Sequence, residues 1–256
     1  MPLLDVSALA VRYGGVRAVS GVDLTVQAGR VSVLLGPNGA GKTSTMRAIL
    51  GLVRKSHGRV TVDGVDVTKA RPYRVAREGV ALVPEGRRIF APLSVEENLL
   101  LGAYTNRSAE HRAETLAQIF EMFPILAERR AGAAGYLSGG EQQMLAFGRA
   151  LMSRPKVILM DEPSMGLSPA MVDVVLDAVR TIAGFGIGVL MVEQNAKAAL
   201  RVADDGMVLE RGRIVLRGSA DELATHPDVV KAFLGEAAAG AAPEGTPPPA
   251  ASTAAH

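Results

Sequence analysis

The chain has 256 residues, enough for one large domain or a core with a subordinate lobe, and too few for two independent enzymes. Its 28 basic and 26 acidic residues leave a formal charge of +2, so net charge indicates no nucleic-acid partner, and the lack of cysteine excludes disulfides, thiolate catalysis and cysteine-ligated metals. Aromatics are 4% with no Trp, which suits an α/β protein whose strands are buried on both faces, and the four His lack metal-ligand spacing.

The opening residues "MPLLDVSALAVRY" lack a basic leader and meet Asp5 almost at once, so they do not read as a secretory signal. No apolar run approaches the ~20 residues of a membrane-crossing helix. The expectation is a chain at the cytoplasmic face of the inner membrane, without direct insertion. Residues 1–35 alternate short β-like runs with Gly turns, and Val31 to Leu35 predict an apolar strand ending at Gly36. A helix follows from about Lys42. After the strand-like "RVTVDG" and "GVALV", residues 86–155 turn helical, with Ser94-x-x-Glu97 and Glu110 to Arg130 as the clearest stretches. That region predicts a helical lobe inserted into the core.

Val157 to Asp161, a helix from Pro169 to about Ala183, and a strand from Ile187 to Val192 repeat a β–helix–β order that implies parallel strands. "DGMVLERGRIVLRG" predicts a hairpin turning at Arg211-Gly212, and Asp221 to Leu234 a closing helix. Residues 1–235 thus read as a single domain. The Ala/Pro/Gly-rich 236–256 has too few large apolar groups to offset ordering entropy and predicts a disordered tail.

Three segments carry the chemistry. Gly36-Pro37-Asn38-Gly39-Ala40-Gly41-Lys42-Thr43, followed by Ser44, matches G-x-x-x-x-G-K-[ST] between a predicted strand and helix. The glycines let backbone N–H groups turn inward, the helix start supplies partial positive charge, Lys42 suits β- and γ-phosphates and Thr43 suits Mg²⁺. Asp161 and Glu162 end a buried strand, where open α/β sheets bind ligands; Asp161 suits the metal and Glu162 the attacking water. In "LSGGEQQ", Ser138-x-x-Glu141 is a capping box, and Gly139 and Gly140 let backbone approach a ligand.

Together these segments resemble the ABC ATPase family over residues 3 to about 235. The resemblance implies a P-loop NTPase (RecA-like) core with a mainly parallel sheet, an N-terminal antiparallel β subdomain and an inserted helical subdomain. It implies ATP and Mg²⁺ as cofactors and an ATP-dependent dimer with a second ATPase subunit, in which Ser138, Gly139, Gly140 and Glu141 close over the partner's nucleotide. Tyr13 is placed either as the aromatic that stacks on adenine or as an ordinary core aromatic. "GLSP" at Gly166 to Pro169 is similar to the loop that crosses the dimer interface, with Ser168 where many relatives have Asp.

Most of that family carries Gln and His where this chain reads Glu85 and Gln194. Glu85 is then a Mg²⁺ ligand that adds negative charge near the triphosphate, and Gln194 a γ-phosphate hydrogen-bonder that carries no protonic charge. "VPEGRRIFAPLSVEENLLLGAY" and "MVEQNAKAAL" resemble the LivF-type ATP-binding proteins of branched-chain amino-acid uptake, where Glu and Gln stand at these places. The partners so implied are a related ATPase, two membrane permeases and, indirectly, a periplasmic binding protein. Arg87, Arg88 and Phe90 lie where a permease would dock, or on a solvated loop. The alternatives are urea, amide or lipopolysaccharide transport and a soluble ATPase of cofactor assembly; a DNA-repair ATPase needs coiled-coil or zinc-bearing insertions that this sequence lacks.

Overall fold

The computed structural model describes residues 1–106 and 108–234. Leu4–Tyr13 (β1) and Val16–Val26 (β2) form an antiparallel hairpin, and Val31–Leu35 (β3) leads through the Gly-rich turn into Lys42–Ile49 (α1). Lys55–Val62 (β4), Val65–Asp66 (β5), Pro72–Arg77 (α2) and Val80–Val83 (β6) follow. Only helical elements separate β6 from the next strand among the described residues: Val95–Leu101 (α3), Ala109–Met122 (α4), Pro124–Glu128 (α5) and Gly139–Leu151 (α6), with two short 3₁₀ turns. The chain continues with Val157–Asp161 (β7), Pro169–Gly184 (α7), Gly188–Glu193 (β8), Ala196–Val202 (α8), Asp205–Glu210 (β9) and Arg213–Ser219 (β10). Ala220–Thr225 (α9), Pro227–Val229 (α10) and a π-helical turn at Val230–Leu234 close it.

Two sheets result. The antiparallel one runs β2-β1-β4-β5, and the larger one runs β10-β9-β3-β8-β7-β6. Every pairing in the larger sheet is parallel except β9 with β10. Because strand side chains alternate, Val33, Leu35, Ile158, Met160, Val189 and Met191 enter one core with α6 to α8, whereas Leu34, Leu159, Leu190 and Val192 enter a second core with α1 and the antiparallel sheet. Burial on both faces explains why these strands read as unbroken apolar runs.

Two predicted helices are interrupted. The Glu110 to Arg130 stretch breaks at Phe123, because Pro124 cannot continue a helix and instead starts α5 at its first position. The closing helix over Asp221 to Leu234 likewise breaks at His226, ahead of Pro227. The strand expected from Ile187 begins one residue later. The tail expected at 236–256 lies outside the described residues.

Candidate functional site

The cradle forms because β3 is buried at all five positions and ends against Gly36, after which the chain must reverse into α1. Gly41 stands at φ +107, a conformation L side chains rarely adopt, and a Cβ there would lie 2.5 Å from the Ala18 carbonyl oxygen. A Cβ on Gly212, at the β9–β10 turn, would lie 2.6 Å from the same oxygen, and Gly212 N donates to Ala40 O at 2.8 Å. The distant hairpin therefore buttresses the phosphate loop, a role its sequence announced only as a turn.

One cavity of about 290 Å³ gathers Pro37, Asn38, Gly39, Ala40, Gly41, Lys42, Thr43 and Ser44 with Glu85, Glu162 and Gln194. Ala18 and Met165 line it too, and neither has a motif to announce it. A larger cavity, about 850 Å³, lies elsewhere, between β1, β4 and the loop before α2. Its lining cations Arg54, Arg59, Lys69 and Arg71 are solvent-exposed, Lys55 is half-buried with its ammonium on Ala48 O, and the three chemical motifs contribute nothing to it. Size therefore does not mark the site here.

Lys42 is 5% exposed, and its ammonium donates to Gly36 O at 2.7 Å and Pro37 O at 3.3 Å while standing 3.5 Å from Glu162 Oε1. The cation and the carboxylate thus meet across the cavity. Asp161, at the end of β7, is buried, and burial holds its carboxyl above the usual range; Glu85 and Glu162 push it the same way, offset partly by Lys42 and Arg47. Its Oδ1 is buried without a hydrogen-bond partner among the described residues. An orphaned carboxylate oxygen amid two more acids fits a divalent cation, which would satisfy the oxygen and relieve the like-charge repulsion.

Glu162 sits at φ +49, and Val192 O accepts its backbone N–H at 2.9 Å. The following turn is held from β8, whose Glu193 Oε1 accepts the Ser164 N–H at 2.9 Å. Glu193 is 3% exposed, and burial pushes its carboxyl upward, with the Ser164 hydrogen bonds opposing. The sequence marks Glu193 with no role of its own, since it simply follows the apolar run Ile187 to Val192 directly ahead of Gln194.

Ser138 caps α6 as predicted: Glu141 N donates to its Oγ at 3.4 Å, and Ser138 N donates to Glu141 Oε2 at 2.6 Å. Ser138, Gly139, Gly140 and Glu141 do not line the cradle cavity of their own chain. Arg87 lies between them and the Gly166 loop, its guanidinium near Gly139 and donating to Gly166 O at 3.4 Å. Arg149 of α6 donates to Arg88 O at 2.7 Å and Arg87 O at 3.1 Å and covers the Phe90 ring at 5.6 Å. Ser168 precedes α7 as its N-cap residue without a capping side-chain bond. Tyr13, at the end of β1, is 46% exposed, so it is not a core aromatic, and it is not among the residues lining the cradle cavity.

A phosphate loop, a strand-end acid pair and a glycine-rich helix start, set on a parallel sheet with an antiparallel sheet beside it, define a class of nucleotide-hydrolysing cassette. The sequence pattern of the family described as ABC transporter matches residues 19–165, and the chain belongs to that family, as an ATP-binding, ATP-hydrolysing subunit that acts with membrane permeases. It is 39% identical over 233 residues to the high-affinity branched-chain amino acid transport ATP-binding protein BraG of Pseudomonas aeruginosa, covering 91% of this chain and 100% of that one. It is 34% identical over 238 residues to the lipopolysaccharide export system ATP-binding protein LptB of Escherichia coli, covering 92% and 98%. Among solved structures, an ATP-binding cassette of an ABC transporter in its ADP conformation superposes with a TM-score of 0.82 at 28% identity, covering 92% of this chain and 99% of that one.

Proposed function

We propose that this chain is the ATPase subunit that energises import of branched-chain amino acids. The observation that carries its chemistry is the placement of Glu162 across one cavity from Lys42 and the glycine-rich backbone, with Glu85 and Gln194 on its walls. The likeness to BraG along that protein's whole length supports the substrate class.

In this reading Lys42 and the amides of residues 36–44 hold the β- and γ-phosphates, and Thr43, Asp161 and Glu85 hold Mg²⁺. The ion, when bound, neutralises charge developing on the phosphate oxygens. Glu162 accepts the proton of the water that attacks the γ-phosphorus, and Gln194 donates a hydrogen bond to a γ-phosphate oxygen. Tyr13 extends the site toward the base by stacking. Ser138, Gly139, Gly140 and Glu141, which do not line their own cradle, complete the cradle of a second ATPase subunit, so ATP joins the two.

A separate groove suits the permeases. It runs along Leu52, Pro72, Ala76, Leu101, Tyr104 and Arg149, and Leu52, Leu101 and Tyr104 are 54%, 49% and 81% exposed. Arg149 connects it to the loop bearing Arg87, Arg88 and Phe90, so docking there bears directly on Glu85. By this reading two permeases, and through them a periplasmic binding protein, complete the importer at the cytoplasmic face. Uptake of labelled leucine, isoleucine and valine in a strain lacking the chain tests this: wild type restores it and Glu162→Gln does not. Uptake undiminished by the deletion overturns the substrate assignment.

A further inference from the structure

Glu162 occupies a left-handed conformation, at φ +49, that a non-glycine residue adopts only at a cost, so its position must be imposed by its surroundings. Both restraints on that turn come from consecutive residues of β8. Val192 O accepts the Glu162 N–H at 2.9 Å, and two residues further on the Ser164 N–H is accepted by Glu193 Oε1, also at 2.9 Å. The turn's own closing bond, from Met165 N to Glu162 O, is longer at 3.1 Å.

One buried side chain therefore holds the backbone two residues beyond Glu162, from the strand position directly ahead of Gln194. A carboxylate is costly at a site that is 3% exposed, and an apolar side chain would fit the end of such a strand without that cost. The buried Ser164 N–H that it accepts accounts for a carboxyl there.

We infer that Glu193 is a positioning residue for ATP hydrolysis, holding Glu162 in register through the Ser164 backbone; this rests on the assignment of Glu162 to the attacking water. The role is geometric. An acceptor oxygen at the same reach should suffice, whereas a shorter acid should not.

Steady-state hydrolysis of Mg-ATP by the assembled transporter carrying each variant, with thermal denaturation of each purified variant chain, separates the possibilities. Glu193→Asp withdraws the oxygen by one methylene and should lower kcat at least about tenfold with KM for ATP within about threefold, since misplacement of a reacting group by about an ångström costs as much or more. Glu193→Gln keeps an oxygen in place and should stay within about threefold of wild type. Glu193→Ala serves if the Asp variant does not fold, with the same loss expected. Wild-type kcat in folded Glu193→Asp or Glu193→Ala overturns the inference. So does a Glu193→Gln variant as impaired as Glu193→Asp, which would make charge the requirement. Glu162→Gln runs alongside: if it hydrolyses ATP normally, the underlying assignment fails, whereas an inactive Glu162→Gln beside a fully active Glu193→Asp sinks only the role of Glu193.

Discussion

Replacing Gly41 and Gly39 separately with Ala tests how the cradle is built. Both glycines have positive φ, at +107 and +80, but their surroundings differ. Nothing lies within 4 Å of a Cβ on Gly39, so that variant bears the left-handed conformational cost alone, about 1–2 kcal/mol. At Gly41 the new methyl falls half an ångström inside the 3.0 Å limit of real Cβ contacts, against a backbone oxygen that cannot rotate away. Adding about 1–3 kcal/mol of overpacking to strain of about 1–3 kcal/mol gives a loss of roughly 2–6 kcal/mol. Relief requires the start of α1 to move from Ala18, carrying Lys42 and Thr43 with it, so ATP affinity should fall on the order of 100-fold. Urea denaturation and calorimetric titration with Mg-ATP read the two effects. Equal stability losses in both variants, or a Gly41→Ala protein that binds ATP normally, would refute the packing argument.

Four further outcomes follow from the same geometry. Asp161→Asn should raise the melting temperature of the nucleotide-free chain at neutral pH while weakening Mg²⁺-dependent ATP binding. A carboxyl whose folded pKa is raised destabilises the fold as pH climbs from its unfolded value through the folded one, and the amide removes that loss; a lower melting temperature at pH 7 would contradict the assigned electrostatics. Gln194→Ala should impair hydrolysis less than Glu162→Gln, because it removes one hydrogen-bond donor rather than the proton acceptor; equal losses in the assembled transporter would count against the assigned roles. Ser138→Ala should cost about 1 kcal/mol through the lost cap in chemical denaturation, and an unchanged midpoint would show the capping box to be idle. Tyr104→Asp should reduce co-purification with the permeases while the isolated chain keeps its Mg-ATP affinity, and undiminished co-purification would remove the groove from the interface.

The candidate motifs are legible because each is local. Gly36 to Thr43 lies at one strand-to-helix junction, Asp161-Glu162 at the end of one strand and Ser138-x-x-Glu141 at the start of one helix, and both strands are buried on two faces, so apolar runs mark their ends. Interruptions at Phe123 and His226 were less visible, since helical composition continues past Pro124 and Pro227, and the proline acts as the first residue of a new helix. Contributions from distant chain segments had no local signal at all. Gly212 supports the cradle through Ala18, Arg149 grips the carbonyls of Arg87 and Arg88, and Glu193 reaches Ser164 across 29 residues of sequence. Each becomes meaningful only once the sheet order has brought its partner alongside.

Calorimetric titration of Mg-ATP into the purified chain and into Lys42→Ala reaches the center of the account. Uptake of one ATP per wild-type chain, with no measurable heat of binding for the variant, is the predicted result. A wild-type chain that takes up no ATP, or a Lys42→Ala chain that binds it as tightly, would contradict the phosphate cradle itself.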